Sequence, residues 1–349
     1  MAIIRTQARN VSSLFASIAS LAILAASRAF CDDSTSGLES AIHAAVPLGL
    51  DSPVTMPKDN PLTPEKVALG RKLFFDPILS RSGSISCASC HLPGYGFSGN
   101  APLSIGVDGG KGRRNAPSLL NRAFAQSLFW DGRASTLEIQ ALEPIQNPVE
   151  MGMNLGLLLE RLRADADYVG AFTGVFDDGI NAQNIGRALA AFERTLLTGN
   201  SPVDRFRNSK FAALSDSARQ GLWLFESRGV CWKCHSDRNF TDEQFHNTGV
   251  SWGKAPLDLG RFEISGKAED RGSFKTPTLR DVAKTGPYMH DGSLGTLREV
   301  VEFYSRGGNQ NPNLDPILKP LNLSETEIES LVHFLEALTG EAATPLPLK

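Results

Sequence analysis

Two short segments constrain this chain more than anything else in it. Cys87-Ala88-Ser89-Cys90-His91 and Cys231-Trp232-Lys233-Cys234-His235 both read Cys-x-x-Cys-His. At this spacing two thiols can form thioethers to the vinyl groups of one haem, while the adjacent imidazole reaches the iron. Four of the five cysteines are used in this way, leaving Cys31. A structural zinc site built from two Cys-x-x-Cys pairs leaves the paired histidines unexplained. Two thiol redox motifs are the other alternative. The reading adopted is two covalent c-type haems, attached through Cys87, Cys90, Cys231 and Cys234 and ligated by His91 and His235.

The motifs are separated by more than 140 residues in a chain of 349, long enough for two ordinary domains. Each motif follows a helical pattern; the first lies within a loop-rich stretch, 80–117, and the second precedes another, 236–277. Helical patterning recurs near 118–127, 135–143, 154–166, 181–197 and 215–228. Thr63-Pro64-Glu65 reads as a helix start, and Ser324 with Glu327 as a capping box opening the last helix. Alternating strand patterns are scarce. The expected fold is all-α, with two cytochrome c-like domains over 56–210 and 211–349. Long loops are tolerated because each macrocycle supplies part of its own core.

The N-terminus has the layout of a secretory signal peptide. Arg5 and Arg9 precede an apolar run from Val11 to Ala26, and Ser27-Arg28-Ala29 offers small residues for cleavage after Ala29. Residues 30–55 then read as a flexible leader. Cleavage removes three arginines and no acid, moving the formal charge from −3 to −6. This balance argues against a nucleic-acid partner. No later stretch approaches the roughly 18 apolar residues of a membrane span. The expected location is the periplasm.

The opposite side of each iron decides the chemistry. An electron carrier fills both axial positions, whereas a peroxidase keeps one open and lines it with polar groups. The histidines are His43, His91, His235, His246, His290 and His333, so none lies between 92 and 234. The first haem therefore has no second histidine from its own domain. Its local polar candidates are Glu138, Gln140, Glu143 and Glu150, which spacing alone does not rank.

Several segments together resemble bacterial di-haem cytochrome c peroxidases. They are Leu69-Gly70-Arg71-Lys72-Leu73-Phe74-Phe75-Asp76-Pro77, Arg114-Asn115-Ala116-Pro117-Ser118-Leu119-Leu120-Asn121 and Phe129-Trp130-Asp131-Gly132-Arg133. Gln140 and Asn147-Pro148-Val149-Glu150-Met151-Gly152 follow, then Lys275-Thr276-Pro277-Thr278-Leu279-Arg280 and Pro287-Tyr288-Met289-His290-Asp291-Gly292. The resemblance spans about residues 56–340. It implies that the His91 haem is the peroxidatic one, with Gln140 and Glu150 in its distal pocket and Glu150 as acid/base. It implies that Trp130 lies between the haems, and that Asn115 with the backbone carbonyls of Thr285 and Pro287 holds an inter-domain calcium ion. It also implies a homodimer.

Two departures from that pattern matter. The distal histidine that lies sixteen residues after the proximal one in the peroxidases is replaced here by Val107. The first haem should thus be open without prior reduction. The methionine expected fourteen residues after His290 is replaced by Tyr304, as in the related MauG enzymes, with Met289 a rival ligand. A phenolate favours high oxidation states and lowers the potential.

The expected protein is a periplasmic oxidoreductase that reduces hydrogen peroxide with electrons from a small cytochrome c or cupredoxin. A MauG-like oxidase acting on side chains of a protein substrate is the alternative. A non-catalytic di-haem electron carrier is the reading from a different class.

Overall fold

The structure, a computed structural model, describes residues 46–50, 54 and 56–342. The signal peptide and most of the leader lie outside the described residues. The described part of the leader is packed: Leu50 and Val54 are buried in the core, and the Leu48 carbonyl accepts from Asn200 N. These apolar side chains, spaced without a clear helical or strand period, hold it there.

The helices are α1 (Pro64–Phe75), α2 (Cys87–Cys90), α3 (Leu137–Gln146), α4 (Leu155–Arg163), α5 (Ala166–Thr173), α6 (Ala182–Glu193), α7 (Pro202–Arg207), α8 (Asp216–Glu226), α9 (Phe262–Ser265), α10 (Leu297–Ser305) and α11 (Glu325–Glu336). Among the described residues, sheet is confined to two antiparallel pairs of two residues each. β1 (Thr198–Gly199) pairs β4 (Glu341–Ala342), and β2 (Phe245–His246) pairs β3 (Phe274–Lys275). The architecture is therefore helix-rich, with little sheet. No helix among the described residues is long and apolar enough to cross a membrane.

The helix ends obey local chemistry. Thr63 Oγ1 accepts from Lys66 N at 3.2 Å, with Pro64 at the first helical position. Ser324 and Glu327 form the expected capping box on α11. The helix expected at 118–127 is instead a loop with one tight turn, Arg122–Phe124. Asn121, in the left-handed region at φ 60°, causes the difference. Its side chain donates to Thr198 O at 3.1 Å and accepts from Thr198 N at 2.9 Å, tying the loop to β1.

The buried apolar residues form two principal clusters. One runs from Leu50 to Leu197, the other from Val203 to Leu338. Each is built around a close helix crossing. Gly70 of α1 lies against the Ala188 carbonyl of α6, and Phe74 meets Phe192 at 5.1 Å. Gly221 of α8 lies against the Ser330 carbonyl of α11, and Phe225 meets Phe334 at 4.8 Å. The likeness extends further, at a constant offset of 160 residues. The loops Leu128–Ala134 and Tyr288–Leu294 are each closed by an antiparallel bridge. Both carry left-handed residues at matching positions, Phe129 and Met289, then Gly132 and Gly292. Each loop feeds a helix, α3 or α10. The chain thus repeats one plan twice, and its cavity lies between the copies.

Candidate active site

A single cavity of about 880 Å³ is bordered by both Cys-x-x-Cys-His segments. It also reaches Gln140, Glu150, Trp130, Tyr304, Met289, Asn115, Thr285 and Pro287, the residues the resemblance singles out, whereas Glu138 and Glu143 do not border it.

The cysteine segments are oriented by short structures. Cys87–Cys90 is one helical turn capped by Ser86 and Ser89. His91 Nδ1 lies 3.0 Å from the Phe97 carbonyl, and His235 Nδ1 lies 3.0 Å from the Phe240 carbonyl. A hydrogen bond at Nδ1 fixes the tautomer and leaves Nε2 for a metal. Burial holds both imidazoles below the usual histidine range, keeping them neutral as ligands must be. An apolar space flanked by paired thiols and by histidines tied at Nδ1 fits a haem at each motif.

One pair of equivalent positions differs in what it can offer the two motifs. The offset that relates the loops carries Tyr304 of α10 onto Pro144 of α3, and both border the cavity. Tyr304 is coupled electrostatically to the Cys234 and Cys231 sulfurs, which places it at the second motif. Burial raises its phenol well above the ordinary tyrosine range, so only a cation would make it a phenolate. Proline in the matching position offers no side-chain ligand at all. Val107 is buried and apolar, and its N–H donates to the Glu150 carbonyl at 2.8 Å. Neither Val107 nor Pro144 can close the first site.

Glu150 is coupled to Cys90, on the first motif. Burial raises its carboxyl, against the opposing pull of Arg133 and of the hydrogen bond from Asn147. Asn147 Nδ2 donates to Glu150 Oε1 at 2.8 Å. Oε2 has no protein hydrogen bond among the described residues. Arg133 is held by Glu143 at 2.7 Å and lies over the Phe129 ring. Gln140 sits on α3, one turn before Pro144.

Trp130 stands between the copies. Its Nε1 donates to the Asn115 carbonyl at 2.9 Å, and its own carbonyl accepts from Lys275 N at 2.8 Å. Its ring meets His290, its partner under the same offset, edge-on at 6.4 Å. His290 stacks on Phe274 at 3.6 Å, and its Nε2 lies 2.8 Å from Ser251 Oγ. Burial pulls this imidazole down to about 4, so it is neutral. Asn115 Nδ2 donates to the Ala101 and Pro102 carbonyls, leaving Oδ1 without a hydrogen bond among the described residues. An oxygen so placed, with the Thr285 and Pro287 backbones on the same cavity, suits a hard cation. His246 is pinned between Asp242 at 2.9 Å and Asp315 at 2.6 Å. Ser217 Oγ lies 2.8 Å from His333 Nδ1, outside the cavity.

Sequence reasoning missed Pro144, Asn147 and the pairing of Trp130 with His290. Comparing the segments from Leu128 and from Tyr288 would have exposed the first and third.

This chain is similar to known proteins over most of its length. A family model described as di-haem cytochrome c peroxidase matches residues 64–211. The methylamine utilization protein MauG of Methylorubrum extorquens is 46% identical over 299 residues, covering 84% of each chain. Cytochrome c551 peroxidase of Pseudomonas aeruginosa is 35% identical over 298 residues, covering 82% of each. The crystal structure of a MauG-like protein associated with microbial copper homeostasis superposes with a TM-score of 0.78 at 33% identity, over 87% of this chain and 97% of that one. The two cysteine motifs facing one cavity thus belong to a cytochrome c peroxidase-type oxidoreductase, a member of the di-haem cytochrome c peroxidase and MauG family.

Proposed function

We propose that this protein is an exported, periplasmic enzyme that reduces hydrogen peroxide to water at the His91 motif, taking its two electrons from a protein. It carries two covalent haems, one in each of two cytochrome c-like domains. The observation that carries the reading is the Pro144–Tyr304 asymmetry: the same position offers a side chain able to ligate at one motif and none at the other. When bound, a haem held by Cys87, Cys90 and His91 would supply peroxide binding and cleavage of the O–O bond.

The protein side of the reaction is proton handling. Glu150 Oε2 takes the proton of the peroxide's inner oxygen and returns it to the departing outer oxygen. Asn147 holds Oε1 and so aims Oε2. Burial keeps the carboxyl's proton affinity high enough for both halves of that transfer. Gln140 orients the peroxide through its amide. Trp130 links the two sites, and Asn115, Thr285 and Pro287 hold a calcium ion that ties the domains together at that link. Two protons and two electrons enter for each peroxide, and two waters leave.

Tyr304 favours a second reading of where the electrons come from. A haem held by Tyr304 would have a low potential and would be a poor acceptor from small cytochromes or cupredoxins. Side chains of a protein substrate are then the better source, in keeping with the 46% identity to a MauG protein. The test starts from the fully ferric protein with one equivalent of peroxide. Immediate loss of the high-spin signal supports an open His91 site, whereas reaction only after partial reduction overturns it. In Tyr304→Phe, the optical spectrum of the second haem should shift; an unchanged spectrum removes Tyr304 as ligand. Tyr304→Met should accelerate turnover with a small c-type cytochrome if the second reading holds.

A further inference from the structure

The cavity also meets a carboxylate that the proposed chemistry leaves unused. Glu193 ends α6 and is 5% exposed. It borders the cavity, and it is coupled electrostatically to Cys87. Its Oε2 is buried without a partner, and no described residue donates a hydrogen bond to either oxygen.

The charged groups around it do not neutralise it. Arg194, its neighbour on the chain, grips Glu138 of α3 with both Nη atoms, at 2.7 and 3.1 Å. Glu138 also accepts from Asn60 at 2.7 Å. Lys66 of α1, coupled to that pair, is spent on Asn60 Oδ1 and the Pro61 carbonyl. From α2 the facing group is Cys87. Burial dominates: it pushes the Glu193 carboxyl up to about 8, with Arg194 pulling down and Glu138 pushing up. A buried carboxylate without hydrogen bonds or a dedicated cation prefers the neutral form.

A ferric haem carries one more positive charge than a ferrous one. That charge, close by in a low-dielectric interior, favours the ionised carboxylate, and reduction removes the effect. We propose that Glu193 is the proton-linked partner of the haem at the His91 motif: it takes up one proton when that haem gains one electron and releases it on reoxidation. The O–H bond forms with a proton from solvent, and the electron comes from the external donor. This rests on the haem assignment made above, and it couples proton entry to electron entry at the site where peroxide consumes both.

The test is spectroelectrochemical titration of the first haem in the intact holoprotein across pH 6 to 10. The wild-type midpoint should fall as pH rises through the window around about 8, with a slope approaching about 59 mV per tenfold change in proton concentration. In Glu193→Gln the midpoint should be flat there, at the wild-type's low-pH value. Glu193→Asp should keep a slope at a displaced pH. A flat wild-type, or an equal slope in Glu193→Gln, overturns the proposal. If Glu193→Gln fails to take up haem, the wild-type reduced-minus-oxidised infrared spectrum decides: a protonated-carboxyl band must appear on reduction, and its absence overturns the proposal. The wild-type mass is read separately; without two attached haems the haem assignment itself falls, and this inference with it.

Discussion

Glu150 is pulled in two directions, by burial toward the neutral acid and by Asn147 and Arg133 toward the carboxylate. A group balanced in this way can both accept and return a proton, which a solvated surface carboxylate does less well. Glu150→Gln keeps the shape and removes the titratable proton. Its rate of reaction with peroxide should fall by about 10²- to 10⁴-fold in stopped-flow mixing; a rate within a few-fold of wild-type would rule out the acid/base role. Legibility at this scale was uneven. The cysteines and histidines were readable because their spacing has one dominant chemistry. Glu138, Glu143 and Glu150 could not be ranked without the family pattern, since a carboxylate's role depends on what buries it. In the structure Glu138 is bound by Arg194 and Glu143 by Arg133, and of the three only Glu150 borders the cavity. Pro144 was unreadable for another reason: its meaning is what it lacks, visible only beside Tyr304.

The elements that carry the site depend on two close helix crossings. A Cβ on Gly221 would lie 1.9 Å from the Ser330 carbonyl, and one on Gly70 would lie 1.9 Å from the Ala188 carbonyl. Both neighbours are helix backbone and cannot move aside, so the helices themselves must separate. Gly221→Ala should therefore destabilise the protein by about 1–3 kcal/mol through overpacking. Gly170 in α5 is the contrast, since a methyl there meets nothing within 4 Å. Gly170→Ala should stabilise by about 0.4–1 kcal/mol. Thermal unfolding of the holoprotein checks both, and equal effects at the two positions would refute the packing argument. Helix starts with caps, such as Thr63 and Ser324, were legible because the signal is local. The 118–127 segment misled because its apolar spacing is real, but Asn121 spends its side chain on Thr198, far away in sequence.

At the scale of the molecule, one buried ion pair fastens the described leader to the body. Arg280 is 1% exposed and holds Asp204 with Nη1 at 2.8 Å, while also binding the carbonyls of Gly49 and Arg238. Burial pushes the Asp204 carboxyl up, but Arg280 and Ser201 outweigh it, so its folded value is depressed. The stability it supplies is present above the ordinary aspartate value of about 4 and is lost as pH falls through the lower folded value. Asp204→Asn leaves Arg280 buried without its counter-charge and should cost about 3–5 kcal/mol at neutral pH. The variant should lose the part of the acid-unfolding slope that Asp204 supplies; an unchanged acid profile would assign the slope elsewhere.

The same scale explains why the chain repeats one plan and then breaks its symmetry. Trp130 and His290 are equivalent by fold, yet one is an oxidisable indole and the other a neutral imidazole locked against Phe274 and Ser251. Trp130 is anchored at both its Nε1 and its carbonyl, to Asn115 and to Lys275, so its ring cannot leave the gap between the motifs without breaking contacts from both copies. If it carries charge between the sites, Trp130→Phe should preserve the first reaction with peroxide at the His91 motif. Electron arrival from the His235 motif should slow by tenfold or more in single-turnover mixing, because phenylalanine fills the space without an accessible oxidation. Trp130→His, which would pair two imidazoles, should be no faster. A second-phase rate that survives both changes would place the route elsewhere and leave Trp130 as a packing residue at the seam.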